Sequence, residues 1–91
     1  MTTKDPEFAS KGTILVDFFA SWCPPCRALL PILKQLEKEG VEVLTINAEE
    51  RRDLAEKYDV RAFPTVIAFK DGQPHKRIVG LTTREKLLAL L

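Results

Sequence analysis

Cys23 and Cys26 are separated by two residues and are the only cysteines of this 91-residue chain. An apolar run, residues 13–20, precedes them, and a helical pattern, residues 27–39, follows them. Cys23 is therefore expected where a strand ends and a helix begins, and a helix N-terminus stabilises a nearby anion. For cysteine that anion is the thiolate, which is its reactive form. This spacing and context predict a dithiol redox site.

In the redox interpretation, the Cys23 thiolate attacks a substrate disulfide and forms a mixed disulfide. Cys26 then attacks that bond, which releases the reduced substrate and leaves the two cysteines joined. Two other interpretations are open. The pair could be an inert short-loop disulfide, because positions i and i+3 of a helical turn lie close together. It could also be half of a zinc site, although such sites usually have about four ligands and the only other soft ligand is His75.

Asp17 is the one charged residue inside the apolar run before the cysteines. Along a strand it shares a face with Leu15 and Phe19, so its carboxyl group is expected to be desolvated and its pKa raised. Such a group can accept the proton of Cys26 as that thiol attacks. The alternative is an exposed aspartate at the strand end. We favour the buried site, because an unpaired buried charge is costly unless it has a function.

Composition excludes several classes of protein. The chain is 45% hydrophobic and 30% charged, which is typical of a globular protein. Its 14 basic and 13 acidic residues leave a net charge of +1, which argues against nucleic acid or an anionic membrane as partner. No apolar run approaches the length of a transmembrane helix. We expect a single domain over residues 1–91, and nothing in it predicts a flavin or nicotinamide site.

The first residues contain no apolar signal-peptide core, so we expect a cytoplasmic protein. Residues 1–12 are predicted to be a loose lead-in, and residues 1–8 could be left over from an expression vector. In a reducing compartment a pair of cysteines is more plausibly catalytic than structural.

The elements that must position the cysteines follow from periodicity and turn chemistry. We predict strands at 13–19, 41–46, 65–69 and 75–79, with helices after Cys26, over 50–58 and after Thr82. In the first helix the core face is Leu29, Ile32, Leu33 and Leu36; Pro31 should bend it, and Gly40 should end it.

A turn at Asp71–Gly72 predicts an antiparallel hairpin, and Thr82 with Glu85 predicts a capping box for a last helix. The core face of that helix is predicted to be Leu87, Leu88 and Leu91. The order is β-α-β-α-β-β-α, an α/β fold in which the first two strands pair in parallel.

The chain resembles thioredoxins. The matching segments are Val16-Asp17-Phe18, Trp22-Cys23-Pro24-Pro25-Cys26, Pro31, Tyr58 to Thr65, Asp71-Gly72 and Val79-Gly80. The resemblance implies a thioredoxin-like fold in a minimal version: a mixed four-stranded sheet flanked by three helices, without the first strand and helix of the full-length fold. Departures from the family's commonest pattern are Pro-Pro between the cysteines, Phe19 for tryptophan, Thr45 for lysine and Asp59 for glycine.

The resemblance also implies a cis bond between Phe63 and Pro64, facing the cysteines. The predicted substrate-binding residues are Trp22, Pro24, Phe63, Pro64, Gly80 and Leu81, which would surround Cys23 with a largely apolar surface. The implied activity is reduction of protein disulfides by a monomer, with a redox-active disulfide, no cofactor and a thioredoxin-reductase-like electron donor. The alternatives are a disulfide oxidant or isomerase, which the Pro-Pro dipeptide could favour, and a binding module without turnover.

Overall fold

A computed structural model describes residues 12–91. The residues of the predicted lead-in before Gly12, and the possible vector remainder at 1–8, lie outside this range. The elements are β1 (Thr13–Phe19), α1 (Pro24–Lys38), β2 (Glu42–Asn47), α2 (Arg52–Lys57), β3 (Thr65–Lys70), β4 (Gln73–Val79) and α3 (Arg84–Leu88). Their order is the predicted one.

The four strands form one mixed sheet in the order β2-β1-β3-β4. β1 pairs in parallel with β2 and antiparallel with β3, which in turn pairs antiparallel with β4. The parallel pair follows from α1, which carries the chain back to the start of the sheet before β2 begins. The predicted hairpin is confirmed, and both Asp71 (φ 51°) and Gly72 (φ 82°) have the positive φ that its tight turn requires.

β1 is the central strand of the core and is buried on both faces. Ile14, Val16 and Phe18 face one side, where they pack with Leu54 of α2. Leu15 faces the other side and packs with three leucines of α1 and one of α3: Leu29, Leu33, Leu36 and Leu87. Burial of each such side chain contributes roughly 1.5–3 kcal/mol. The two layers of helices hold β1 rigidly, and with it the chain segment that leads to the cysteines.

The ends of α1 are built from local sequence signals. Pro24 occupies the first position of the helix, where its missing N–H costs no hydrogen bond. At the other end Gly40 has a φ of 97°. Its N–H donates to the Glu37 carbonyl and the N–H of Val41 donates to the Leu36 carbonyl, both at 3.0 Å. This pair of bonds is a Schellman motif, so the predicted role of Gly40 is confirmed. The helix continues through Pro31, and the bend expected there stays a prediction.

The last helix was predicted one residue out of register. Its N-cap is Thr83, whose hydroxyl accepts a hydrogen bond from the Lys86 N–H at 3.2 Å, so the capping box predicted at Thr82 is wrong. The shift changes the core face. Leu87 and Leu90 are buried, whereas Leu91 is exposed. Both threonines offer the same hydroxyl, so the type of residue does not decide between them.

The bounds of other elements also differ from the predicted ones: β3 ends at Lys70 instead of Phe69, and β4 begins at Gln73 instead of His75. α2 covers six residues rather than the nine predicted at 50–58, because Glu50 belongs to the turn that precedes it and Arg51 and Tyr58 are its N-cap and C-cap. β2 begins at Glu42 instead of Val41, since Val41 is used to close the end of α1.

The cap of α3 can be tested with a matched pair of variants. We expect Thr83→Ala to lower the free energy of unfolding by about 1 kcal/mol, because the N–H of Lys86 loses its acceptor. Thr82→Ala removes a similar hydroxyl that caps nothing, so it should cost less. Urea denaturation of both variants measures the difference, and equal losses would contradict the assignment of the cap.

Candidate active site

The two cysteines form a disulfide at the first turn of α1, with Cα atoms 5.3 Å apart. Three residues after β1 form a turn, which is closed by a hydrogen bond from the Cys23 N–H to the Ala20 carbonyl at 3.3 Å. Cys23 is the N-cap of α1, and its sulfur lies 3.3 Å from the Cys26 nitrogen, whose N–H points at it. A sulfur in this position receives a hydrogen bond and the positive end of the helix dipole. As a thiolate, Cys23 would therefore be stabilised, as the sequence predicts.

A second chain segment faces the disulfide from the start of β3. The bond between Phe63 and Pro64 is cis, as the resemblance implied. The Cys23 sulfur lies 3.7 Å from the Phe63 carbonyl oxygen, and Phe63 packs against the small cluster of Ala20, Cys23 and Cys26. Pro64 itself is buried, and its carbonyl accepts the Gly80 N–H at 2.7 Å. This hydrogen bond ties the end of β4 to the segment that faces the cysteines.

Asp17 is completely buried, with 0% of its surface exposed. Neither oxygen of its carboxyl group accepts a hydrogen bond from any residue in the described range. Desolvation by burial raises its pKa to about 7. The predicted buried carboxyl group is confirmed, and the alternative of an exposed aspartate is wrong.

The register of the sheet shows which side of it Asp17 faces. Asp17 lies two residues beyond Leu15 on β1, so both side chains point to the face covered by α1. Because α1 runs back along β1 from the cysteines, Asp17 lies between Leu15 and the cysteine end of the helix. Its neighbour on β2 is Thr45, which is exposed and carries no charge that could offset that of the carboxylate.

The surface around the cysteines is apolar and partly aromatic. Trp22 is 62% exposed, and its ring meets that of Phe63 edge to face, with centroids 6.2 Å apart. Leu81 is 55% exposed, Pro24 is exposed and Gly80 is half-buried. Trp22 and Phe63 are thus brought into contact, and Gly80 joins them through Pro64. Within the described part of the chain, no contact of Leu81 with these residues is seen. Exposed large apolar side chains such as Trp22 and Leu81 are typical of a docking surface.

Two polar residues whose hydrogen bonds hold this surface, Glu49 and Arg27, could not be predicted. Glu49, in the turn after β2, accepts hydrogen bonds from the Trp22 indole N–H at 3.0 Å and from the Ser21 hydroxyl at 3.1 Å. The Arg27 guanidinium donates to the Ser21 carbonyl at 3.2 Å. Both contacts hold the turn that carries Trp22. No motif in the sequence marks either residue. Arg27 carries a charge directly after the cysteines, whereas Glu49 is 27 residues from Trp22 and has no such signal.

Among residues 12–91, no group of three histidine, cysteine or acidic side chains is arranged to hold a metal ion. Within the same residues no helix is long and apolar enough to cross a membrane.

The site contains a cysteine pair at the start of a helix, a cis-proline segment across from it and a buried carboxyl group behind it. Together these features define a class of protein. They are the parts of a site for thiol–disulfide exchange on an α/β sheet.

The comparisons with known proteins agree with this class. The family model described as Thioredoxin matches residues 4–91. A thioredoxin of Chlamydia caviae is 43% identical over 86 residues, which cover 92% of this chain and 84% of that protein. A thioredoxin of Staphylococcus aureus is 42% identical over 93 residues, covering 96% and 89%. A solved structure of a mutant thioredoxin from Halobacterium salinarum superimposes with a TM-score of 0.85 at 35% identity, covering 90% of this chain and 74% of that one.

The chain therefore belongs to the thioredoxin family, and it is a thiol–disulfide oxidoreductase. Members of this family act on disulfides of proteins through a redox-active disulfide of their own.

Proposed function

We propose that the protein reduces disulfide bonds of other proteins, with Cys23 as nucleophile, Cys26 as resolving thiol and Asp17 as proton acceptor. The observation that carries the proposal is the position of Cys23, at the N-cap of α1 and 3.7 Å from the Phe63 carbonyl. The helix end stabilises its thiolate. The carbonyl offers an acceptor for the backbone N–H of a substrate segment lying across the site.

Atoms, protons and electrons are conserved in each step of the cycle. The Cys23 thiolate attacks one sulfur of the substrate disulfide, which forms a mixed disulfide and expels the other sulfur as a thiolate. Cys26 then gives its proton to the Asp17 carboxylate and attacks the Cys23 sulfur. The second substrate sulfur leaves as a thiolate. The substrate gains two electrons, and the protein ends as the Cys23–Cys26 disulfide.

A donor must return two electrons to this disulfide before another turnover. We propose a thioredoxin-reductase-like partner, because the two electrons given to the substrate come from the two thiols and no group of the cycle replaces them. Compartments that keep thiols reduced sustain such a donor, which supports a cytoplasmic location. One chain contains every group used in the cycle, so the catalytic unit is proposed to be a monomer.

We propose that the substrate binds to an apolar surface formed by Trp22, Pro24, Phe63, Gly80 and Leu81. Pro64 is buried directly after Phe63 and supports its position. We expect Leu81→Asp to raise KM for a protein disulfide by about tenfold, because a charge replaces apolar contact area that substrate would cover. kcat should change little. Leu91→Asp is the matched control, since Leu91 is also exposed but lies at the end of the chain. Equal effects of the two variants would contradict this docking surface.

The direction of the reaction is tested by the reduction potential of the Cys23–Cys26 pair. Thiol trapping across graded redox buffers measures it. We expect a reduction potential close to that of reducing thioredoxins, which is about −270 mV. A value near the about −180 mV of protein disulfide isomerase would contradict the reductase and indicate an oxidant or isomerase. Binding of protein partners without any turnover would contradict both enzymatic directions.

A further inference from the structure

In the part of the chain that the structure describes, the sheet has two edges, and they are protected very differently. β4 carries a proline, Pro74, and the exposed charges of Lys76 and Arg77, and its pairing with β3 has an irregularity after Ala68. These devices keep an edge strand from pairing with another chain. β2 has none of them. It has a single charge at its first residue, Glu42, no proline and regular pairing over all six residues.

Within residues 12–91, β2 has β1 as its only neighbour in the sheet. The backbone groups along its outer side therefore have no strand partner in that range. Beside this edge is a groove of about 240 Å³ between β2 and α1. Its lining is Leu30, Leu33, Lys34, Glu37, Val43, Leu44 and Thr45. Val43 and Leu44 are only partly buried, although both belong to the hydrophobic core.

We propose that this edge pairs with the same edge of a second copy of the chain, which joins the two sheets into one of eight strands. In an antiparallel pair centred on Leu44, the two Leu44 side chains meet, and Val43 of each copy lies opposite Thr45 of the other. The pairing covers the partly exposed apolar side chains of the edge and gives the outer backbone groups partners.

The charges on α1 select this arrangement. Lys34 and Glu37 line the groove three residues apart on the same side of the helix, and neither forms an ion pair with another residue between 12 and 91. α1 runs antiparallel to β2, so along the groove Lys34 lies nearer the Thr45 end and Glu37 nearer the Val43 end, with Leu44 in the middle of the strand segment that lines it. A two-fold axis there sets each Lys34 against Glu37 of the other copy, and two opposite-charge pairs flank the strands.

The proposed dimer leaves the redox sites free. Lys34 follows Cys23 by eleven residues, which is roughly 16 Å along the helix axis. The dimer therefore adds to the proposed function without depending on it, and the variants below should keep full disulfide-reductase activity. In this proposal the monomer expected from the sequence is the form present at low protein concentration.

Sedimentation equilibrium from about 10 μM to about 1 mM tests the proposal. The wild-type mass should rise from one chain of 10.3 kDa towards two. Lys34→Glu creates like-charge pairs on both sides of the axis and should weaken the dimer by about tenfold or more. Adding Glu37→Lys reverses both charges and should restore it. Lys76→Glu on β4 is the control with the same charge change, and it should have no effect.

Hydrogen exchange of the β2 amides provides the second measurement. The backbone amides near Leu44 that point away from β1 should become protected from exchange as the protein concentration rises. A wild type that stays monomeric at about 1 mM would overturn the proposal. So would a dimer that is indifferent to Lys34→Glu, because it would use another surface. Protection of these amides at every concentration would also overturn it, since the edge would then be covered within one chain.

Discussion

The Cys23→Ser variant should reduce protein disulfides no faster than the uncatalysed background. A serine hydroxyl has far too high a pKa to ionise at the helix N-terminus, so no nucleophile is left there. Cys26 cannot replace it, because Cys26 lies at the third position of α1 and its sulfur lacks the N-cap position that stabilises a thiolate at Cys23. The measurement is the rate of reduction of a model protein disulfide with a chemical thiol as electron source.

The Cys26→Ser variant should fail at a later step. Its Cys23 still attacks, but no thiol follows to break the mixed disulfide, so the complex with the substrate accumulates. Mass spectrometry without a reducing agent should detect a covalent adduct joined at Cys23, and added thiol should release it. The variant with both cysteines replaced is the control and should form none. Turnover at the wild-type rate in Cys23→Ser, or an adduct in the double variant, would contradict the assigned roles.

Much of the fold could be predicted because its signals are local. The Asp71–Gly72 turn has the two residue types that accept a positive φ, and Gly40 follows the apolar stripe of α1 where a left-handed residue ends a helix. The cysteine pair is equally local, since its spacing and position between a strand and a helix are visible in ten residues. Burial of Asp17 followed from its place between two apolar neighbours on the same face of β1.

What could not be predicted depends on contacts between distant parts of the chain. Glu49 is 27 residues from the indole it holds, and many exposed glutamates would look the same in the sequence. The choice between Thr82 and Thr83 as cap is similar, because the type of residue is the same at both positions and does not decide it. Resemblance to the thioredoxin family supplied the cis bond before Pro64, which the residue types permit but do not require.

The second large effect concerns stability and pH. The pKa of Asp17 is about 7 in the folded protein, against an ordinary value of 3.8 in the unfolded chain. Between these values the folded state holds a proton that the unfolded state has lost, so stability falls as pH rises from about 4 to about 7. Below that window both states are protonated and the penalty is absent. Above it the penalty is complete, at about 4 kcal/mol for a shift of about 3 pKa units.

Asp17→Asn should remove this dependence, because asparagine matches the protonated carboxyl group in shape and does not ionise. We expect similar unfolding free energies for variant and wild type at about pH 4, and an advantage for the variant of up to about 4 kcal/mol at about pH 9. Urea denaturation of the oxidised proteins measures it, since disulfide-bonded cysteines do not titrate. Asp53→Asn is the control, because Arg51 lowers the pKa of that exposed carboxyl group instead of raising it.

A difference between Asp17→Asn and wild type that stays constant from about pH 4 to about pH 9 would mean that Asp17 ionises normally, and would contradict its desolvation. The raised pKa that causes this loss of stability also determines how the carboxyl group can exchange protons. A group with a pKa near 7 is able both to take a proton from Cys26 and to return it at neutral pH, whereas an ordinary aspartate holds protons too weakly. The variant should therefore gain stability and lose rate in the step that resolves the mixed disulfide. The same burial that destabilises the fold would make Asp17 an effective proton acceptor in the proposed cycle.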